Sequence, residues 1–222
     1  MTTTYTTYAK KRMMTQFFMG IVFIAILIGG WRYPLLGFFI PLCMLSGLGI
    51  GLYRGRKWCD WYCPRGSFYD AWMKPLSIRK KIPLLFKDMR FRAGALVLLM
   101  LMMAVNVAVR WPHADRIGRF FILMLISTTL LGVILAVLFH QRSWCTVCPI
   151  GTVIHLIGKR KYPLYIDSKE CIVCKACEKV CPTQISPYRF KKEDRQAVLD
   201  GDCLKCNLCV AVCPKNALSR QR

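Results

Sequence analysis

The sequence predicts an all-α membrane domain with a two-fold internal repeat, joined to a small α+β domain organised by cysteines. Three observations carry this. Four apolar stretches, at about 13–31, 33–53, 91–109 and 120–139, are each long enough to cross about 30 Å of hydrocarbon at about 1.5 Å per residue. A tryptophan–cysteine motif follows the second stretch and recurs after the fourth. From Cys171 onward, a run of four cysteines is written twice.

Composition points the same way. Of 222 residues, 55% are hydrophobic, yet the formal charge is +22. Soluble domains seldom combine the two, whereas membrane proteins with basic cytoplasmic loops do. The basic residues cluster at the ends of apolar stretches, where the positive-inside rule accounts for them, so nucleic acid is not an expected partner. Twelve of the thirteen cysteines fall in four motifs with the spacing of metal ligands, which predicts a reducing compartment for that face.

Residues 1–12, ending in Ala9-Lys10-Lys11-Arg12, read as a flexible cytoplasmic segment. Residues 13–160 form the membrane domain. A signal peptide also begins basic then apolar, but no small-x-small cleavage site follows Ile28-Gly29-Gly30-Trp31, so a retained helix is expected. In the second span, Gly47, Gly49 and Gly51 would admit a close helix neighbour, and Cys43 reads as a small buried residue. Asn106 in the third span is expected to hydrogen-bond another helix. Between spans two and three, a long basic loop carries SFYDAWM (Ser67 to Met73) and Leu76 to Phe86, expected to lie in the membrane interface. The charge bias of this loop, against the short loops after spans one and three, predicts that both termini and the cysteines lie on the cytoplasmic side.

Residues 161–222 carry CIVCKACEKVCP (Cys171 to Pro182) and CLKCNLCVAVCP (Cys203 to Pro214). Each is C-x₂-C-x₂-C-x₃-C-P, the spacing by which bacterial two-cluster ferredoxins hold 4Fe–4S clusters, the fourth cysteine crossing to the other cluster. By that rule Cys171, Cys174, Cys177 and Cys213 hold one cluster, and Cys203, Cys206, Cys209 and Cys181 the other, iron being bound through these same cysteines. Disulfides or zinc would also pair cysteines, but neither explains a doubled run with proline after each last cysteine. Tyr165-Ile166-Asp167 reads as a strand, and Thr183-Gln184-Ile185 and Lys215 to Leu218 as short strands or turns. So small a domain has little apolar core, and its clusters are expected to couple binding to folding.

At the membrane edge stand Trp58-Cys59-Asp60-Trp61-Tyr62-Cys63-Pro64-Arg65-Gly66-Ser67 and Trp144-Cys145-Thr146-Val147-Cys148-Pro149-Ile150-Gly151-Thr152. Aligned, they read W-C-x₂₋₃-C-P-x-G-[S/T]. The membrane domain is then a duplication, its unit being a helix pair followed by a cysteine pair. Each pair supplies half a cluster's ligands. Together, Cys59, Cys63, Cys145 and Cys148 are expected to share a third iron–sulfur cluster; a Cys₄ zinc site or thiols that pack or form redox disulfides are the alternatives.

Four helices, cysteine–proline motifs after the second and fourth, and a terminal two-cluster ferredoxin domain resemble the NapH-type membrane-bound 4Fe–4S ferredoxins, related to the NosR and CcoG groups. The second motif here is C-x₂-C-P where that family has C-x₃-C-P. The resemblance implies a subunit in the bacterial cytoplasmic membrane that is not catalytic alone. It would relay electrons between the quinone/quinol pool and other subunits of a redox complex. The alternative is a CcoG-like assembly factor that reduces a metal ion or thiol for another respiratory complex. No haem is expected, because the histidines, His113, His140 and His155, lie outside the spans. His140 and His155 flank the second cysteine pair and are expected to be solvated, with quinol proton uptake as the alternative role.

Overall fold

The computed structural model describes residues 3–192 and 194–220. Helix α1 (Thr3–Arg32) is helical from Thr3, so the stretch expected to be flexible extends the first span. The reason is electrostatic: Arg12 is buried, and its guanidinium pairs with Asp60 and Asp70 on the far side of a turn. A 3₁₀ turn (Pro34–Phe38) leads into α2 (Phe39–Arg54). Three short helices follow: α3 (Lys57–Trp61), α4 (Pro64–Phe68), which widens into a π turn (Tyr69–Met73), and α5 (Leu84–Lys87). Then come α6 (Met89–Arg110), α7 (Ala114–Leu138), α8 (Ser143–Val147) and α9 (Pro149–Gly158). Among the described residues, four segments are long and apolar enough to cross a membrane: Tyr5–Arg32, Pro34–Arg54, Met89–Arg110 and Ala114–Leu138.

Of these, α7 is central. It buries Ile117, Phe121, Ile122 and Leu125, while α6 exposes Val97, Leu98, Leu101, Val105 and Val109, a surface suited to lipid. Gly37 and Gly118 let the 3₁₀ turn and α7 touch backbone to backbone; a Cβ on Gly118 would overlap the Pro34 carbonyl. In α2, Gly47 and Gly51 face α9, where a Cβ would meet Ile150 and Ile154, but Gly49 meets nothing within 4 Å and serves no close approach.

Two expectations are corrected here. The SFYDAWM segment packs into the protein over part of its length: Tyr69 and Asp70 are buried, Phe68 packs on Phe23, and the Tyr69 ring fits against Gly132 of α7, while Trp72 stays exposed. Two of its polar groups are satisfied inside, Tyr69 donating to the Thr129 carbonyl at 3.3 Å and Asp70 accepting from Arg142 and Arg12, and so they can leave water. Among the described residues, Asn106 makes no interhelical bond; it donates to the Met102 carbonyl of its own helix at 2.7 Å and accepts from Arg110.

The tail is a three-stranded antiparallel sheet with two short helices. Strand β1 (Leu164–Ile166) lies between β2 (Gln196–Val198) and β3 (Leu218–Arg220), with Leu164 opposite Val198 and Arg220. Leu164, Ile166, Val198 and Leu218 make its small core, against which Cys171, Cys177, Cys209 and Cys213 pack. Residues Thr183 to Ile185 form a turn, not a strand; Gln184 has φ 55° and ties the tail to the basic loop through Ile82 N and Lys80 O, both at 2.9 Å. Helices α10 (Ala176–Lys179) and α11 (Leu208–Val212) close the two cysteine runs, and α11 packs on α1.

Candidate metal centres at the membrane edge and in the tail

Left-handed residues set the tail's cysteine loops. Val173 and Lys175 in the first run, and Lys205 and Asn207 in the second, all have φ between 54° and 60°. For a β-branched valine this is a costly conformation, and such strain persists where the surroundings over-determine a binding loop. The loops turn their cysteines inward. Cys171, Cys174, Cys177 and Cys213 line one cavity, and Cys181, Cys203, Cys206 and Cys209 another. Those are the groupings that the crossed spacing rule gives. Burial pushes the Cys177, Cys181, Cys206 and Cys209 thiols up, so as free groups they are neutral, and binding metal there means releasing protons. Among the described residues, no three His, Cys, Asp or Glu side chains are arranged to hold a single metal ion. The four thiols of each group line a cavity.

The two membrane-edge motifs fold alike. Cys59 lies in α3 and Cys145 in α8; Cys63 and Cys148 are the N-cap residues of α4 and α9, each with proline at the first helical position. Cys63 Sγ accepts from Gly66 N at 3.4 Å, a cap in which sulfur replaces the usual oxygen and which favours the thiolate. Proline explains why each cysteine pair ends where it does: it starts the next helix and has no amide to leave unpaired. Cys59, Cys63, Cys145 and Cys148 line one cavity of about 160 Å³, whose other wall is Cys43, Met44, Met100, Met103, Met124 and Thr128 from α2, α6 and α7. Cys43, read as a buried core residue, is half-buried at this wall. Burial raises the Cys59, Cys63 and Cys145 thiols as well.

Sequence reasoning missed the buried arginines around this cavity. Arg142, three residues before Cys145, donates to the Cys59 carbonyl at 2.9 Å; Arg56, three residues before Cys59, donates to the Cys145 carbonyl at 2.6 Å. Each pair is therefore completed by the other's arginine. Glycine makes room: a Cβ on Gly66 would stand 3.0 Å from Arg142 Nη1, and one on Gly151 2.9 Å from Arg56 Nη2. The legible signal was Arg-x-Trp-Cys, present in both motifs.

These arginines belong to two ionic networks. Arg142 and Arg12 share Asp70 and Asp60, holding the Asp70 carboxyl well below its ordinary range against the opposing effect of burial. Arg56 and Arg92 share Asp202, at 2.7 and 2.8 Å, and His155 Nδ1 lies 3.0 Å from the same carboxylate. His155 is thus paired, not solvated. His140 is buried, accepts from Arg142 N at 3.3 Å, and is pushed down to about 4, chiefly by burial. Asp202 immediately precedes Cys203, so the second network ties the tail to the membrane-edge motifs. Cys206 also shares an apolar cluster with Cys59, Leu204 and Ile154.

The residues suit an anionic iron–sulfur group. Four buried guanidiniums face three carboxylates, a surplus of one positive charge. Arg56 Nε, Arg65 Nη2 and Trp144 Nε1 are buried donors without a partner among the described residues, and all three residues line the cavity beside the cysteines.

Comparison with known proteins agrees. A family described as a 4Fe-4S dicluster domain matches residues 164–219, and one described as a 4Fe-4S binding domain matches 36–83 and 120–164. The Haemophilus influenzae ferredoxin-type protein NapH is 31% identical over 165 residues, 66% of this chain and 55% of that protein. The chain is thus similar to the NapH-type 4Fe–4S ferredoxins. Two uncharacterised Methanocaldococcus jannaschii proteins are also similar, at 26% identity over 143 residues and 24% over 148, each covering 61% of this chain. The chain spans 55 to 62% of the length of these relatives. No solved structure matches it. The 4Fe-4S domain matches and the four apolar helices fit an iron–sulfur protein with segments long enough to cross a membrane.

Proposed function

We propose that this protein relays electrons between the quinone/quinol pool and a partner oxidoreductase, with both termini and the cysteine motifs on the cytoplasmic side of a bacterial inner membrane. The observation that carries this is the 160 Å³ cavity: one wall is four cysteines, the other apolar side chains of α2, α6 and α7. A headgroup entering from lipid would meet the cysteines directly. Iron–sulfur clusters, when bound, supply one-electron transfer. The chain's residues do the rest. Cys59, Cys63, Cys145 and Cys148 would hold a third cluster beside the eight tail cysteines, Arg56 and Arg142 would offset its negative charge, and the apolar wall would exclude water. The matching folds of the two motifs support a duplicated membrane domain.

The test is iron and acid-labile sulfide per chain after anaerobic purification. About twelve irons are expected. About eight would leave the membrane-edge cysteines without a cluster and remove the relay's first station. Reduction of the loaded protein by a short-chain quinol in liposomes then tests the substrate.

One observation favours a second reading, a CcoG-like factor that reduces a metal ion for another complex. The cavity's far wall carries Met44, Met100, Met103 and Met124 with Cys43, soft donors of the kind that select Cu(I). Metal-ion reduction that persists without quinone, with no stoichiometric partner, would favour it.

A further inference from the structure

The two halves of the tail face different surroundings. In the second run, Leu204 is 2% and Cys206 8% exposed, packed with Cys59 and Ile154, with α11 against α1. In the first run, Ile172 is 60% and Val173 42% exposed, Cys174 is exposed, and α10 rests on α11 and the Pro187–Phe190 turn of the tail itself. Two apolar side chains and a ligand-type cysteine at the surface need a reason, because equivalent positions in the other half are covered. The surrounding charge indicates the cover. Lys169, Lys175, Lys179, Lys191 and Lys215 are exposed about this loop, against Glu170, while Glu178 is tied to Ser186 and Tyr188. Lys175, Lys215, Ile172 and Val173 line the rim of the cavity formed by Cys171, Cys174, Cys177 and Cys213.

We infer that the Ile172–Lys175 loop with Lys215 is the docking surface for an acidic redox-carrier protein. The lysines steer the carrier, Ile172 and Val173 are covered by it, and Cys174 marks the shortest approach to the buried group. The buried second run is then the half that faces the membrane-edge cysteines. This rests on the relay reading only in taking the tail as an electron-transfer module.

The experiment uses the full chain, loaded with its clusters, in phosphatidylcholine nanodiscs, and oxidised flavodoxin as the acidic probe, with binding read by biolayer interferometry. Binding is expected to weaken as salt rises. Lys175→Gln with Lys215→Gln, and separately Ile172→Ser, are expected to raise Kd by about ten-fold or more, with cluster absorbance unchanged. Lys10→Gln with Lys11→Gln, on α1, is expected to leave Kd as it was. Wild-type affinity in the loop variants, tighter binding of the basic carrier cytochrome c, or loss of flavodoxin binding when phosphatidylglycerol enters the discs would each overturn the proposal; in the last case the lysines serve the lipid surface. No quinone is present, so failure here is separate from failure of the iron count or of quinol reduction.

Discussion

Glu170 and Asp202 each stand one residue before the first cysteine of a four-cysteine run, and they have opposite lives. Glu170 is exposed, whereas Asp202 is 6% exposed and holds two buried arginines. Ile172 and Leu204, the next matched pair, differ in the same way. The backbone of the two runs is nearly one pattern, down to left-handed φ at positions 173 and 205, 175 and 207, and 184 and 216. What separates them is what each half touches. Ligand spacing is thus a property of the local chain, while stability and coupling come from docking.

Substitutions at matched positions test that distinction. Asp202→Ala should have the largest effect. It leaves Arg56 and Arg92 buried without their carboxylate, at a cost of about 3–5 kcal/mol, and should release the tail to limited proteolysis near residue 161. Glu170→Ala should change stability by no more than about 0.5 kcal/mol. Equal effects would mean that the two halves are equally docked. Next, Leu204→Ala should lower thermal stability by about 2–4 kcal/mol, while Ile172→Ala should stay within about 0.5.

Chemical access sharpens the same contrast. Under brief oxidation, iron should be lost first from the half with exposed Cys174, so that electron paramagnetic resonance of the reduced protein shows one tail signal fading before the other. Simultaneous loss would contradict the asymmetry. The smallest effect concerns the membrane edge. His140 titrates at 6.5 in the unfolded chain and at about 4 when folded, so the unfolded state binds the extra proton between these values. Stability should therefore fall as pH drops from 6.5 toward 4. Thermal unfolding of His140→Gln should show a shallower slope between pH 7 and 5.5 than the wild type.

Much of this molecule was legible before folding, and the reason is that its signals are local. Four apolar stretches announce helices through length alone, and cysteine spacing announces which thiols share a cavity. The arginines were not legible in that way. In a chain of charge +22, Arg56 and Arg92 look like ordinary loop charges, and only their distant partner Asp202, 146 and 110 residues away, makes them interior. SFYDAWM misled for a related reason: its aromatic residues fit an interface as well as a core, and the choice rests on Gly132 and Asp70's partners elsewhere. Acidic residues were the better clue. Only eleven occur, and Asp60, Asp70 and Asp202 sit beside or between cysteine motifs.

The reciprocal arginines also order the protein's birth. Cys59 and Cys63 leave the ribosome early, but the guanidinium that binds the Cys59 carbonyl belongs to Arg142, 83 residues later. Until α7 is inserted and that residue has emerged, the first pair is an open, unshielded half-site. Biogenesis therefore has a built-in sequence, in which helix insertion precedes closure of the membrane-edge pocket, and any group the four cysteines hold would meet a finished pocket only once the second half of the membrane domain is in place.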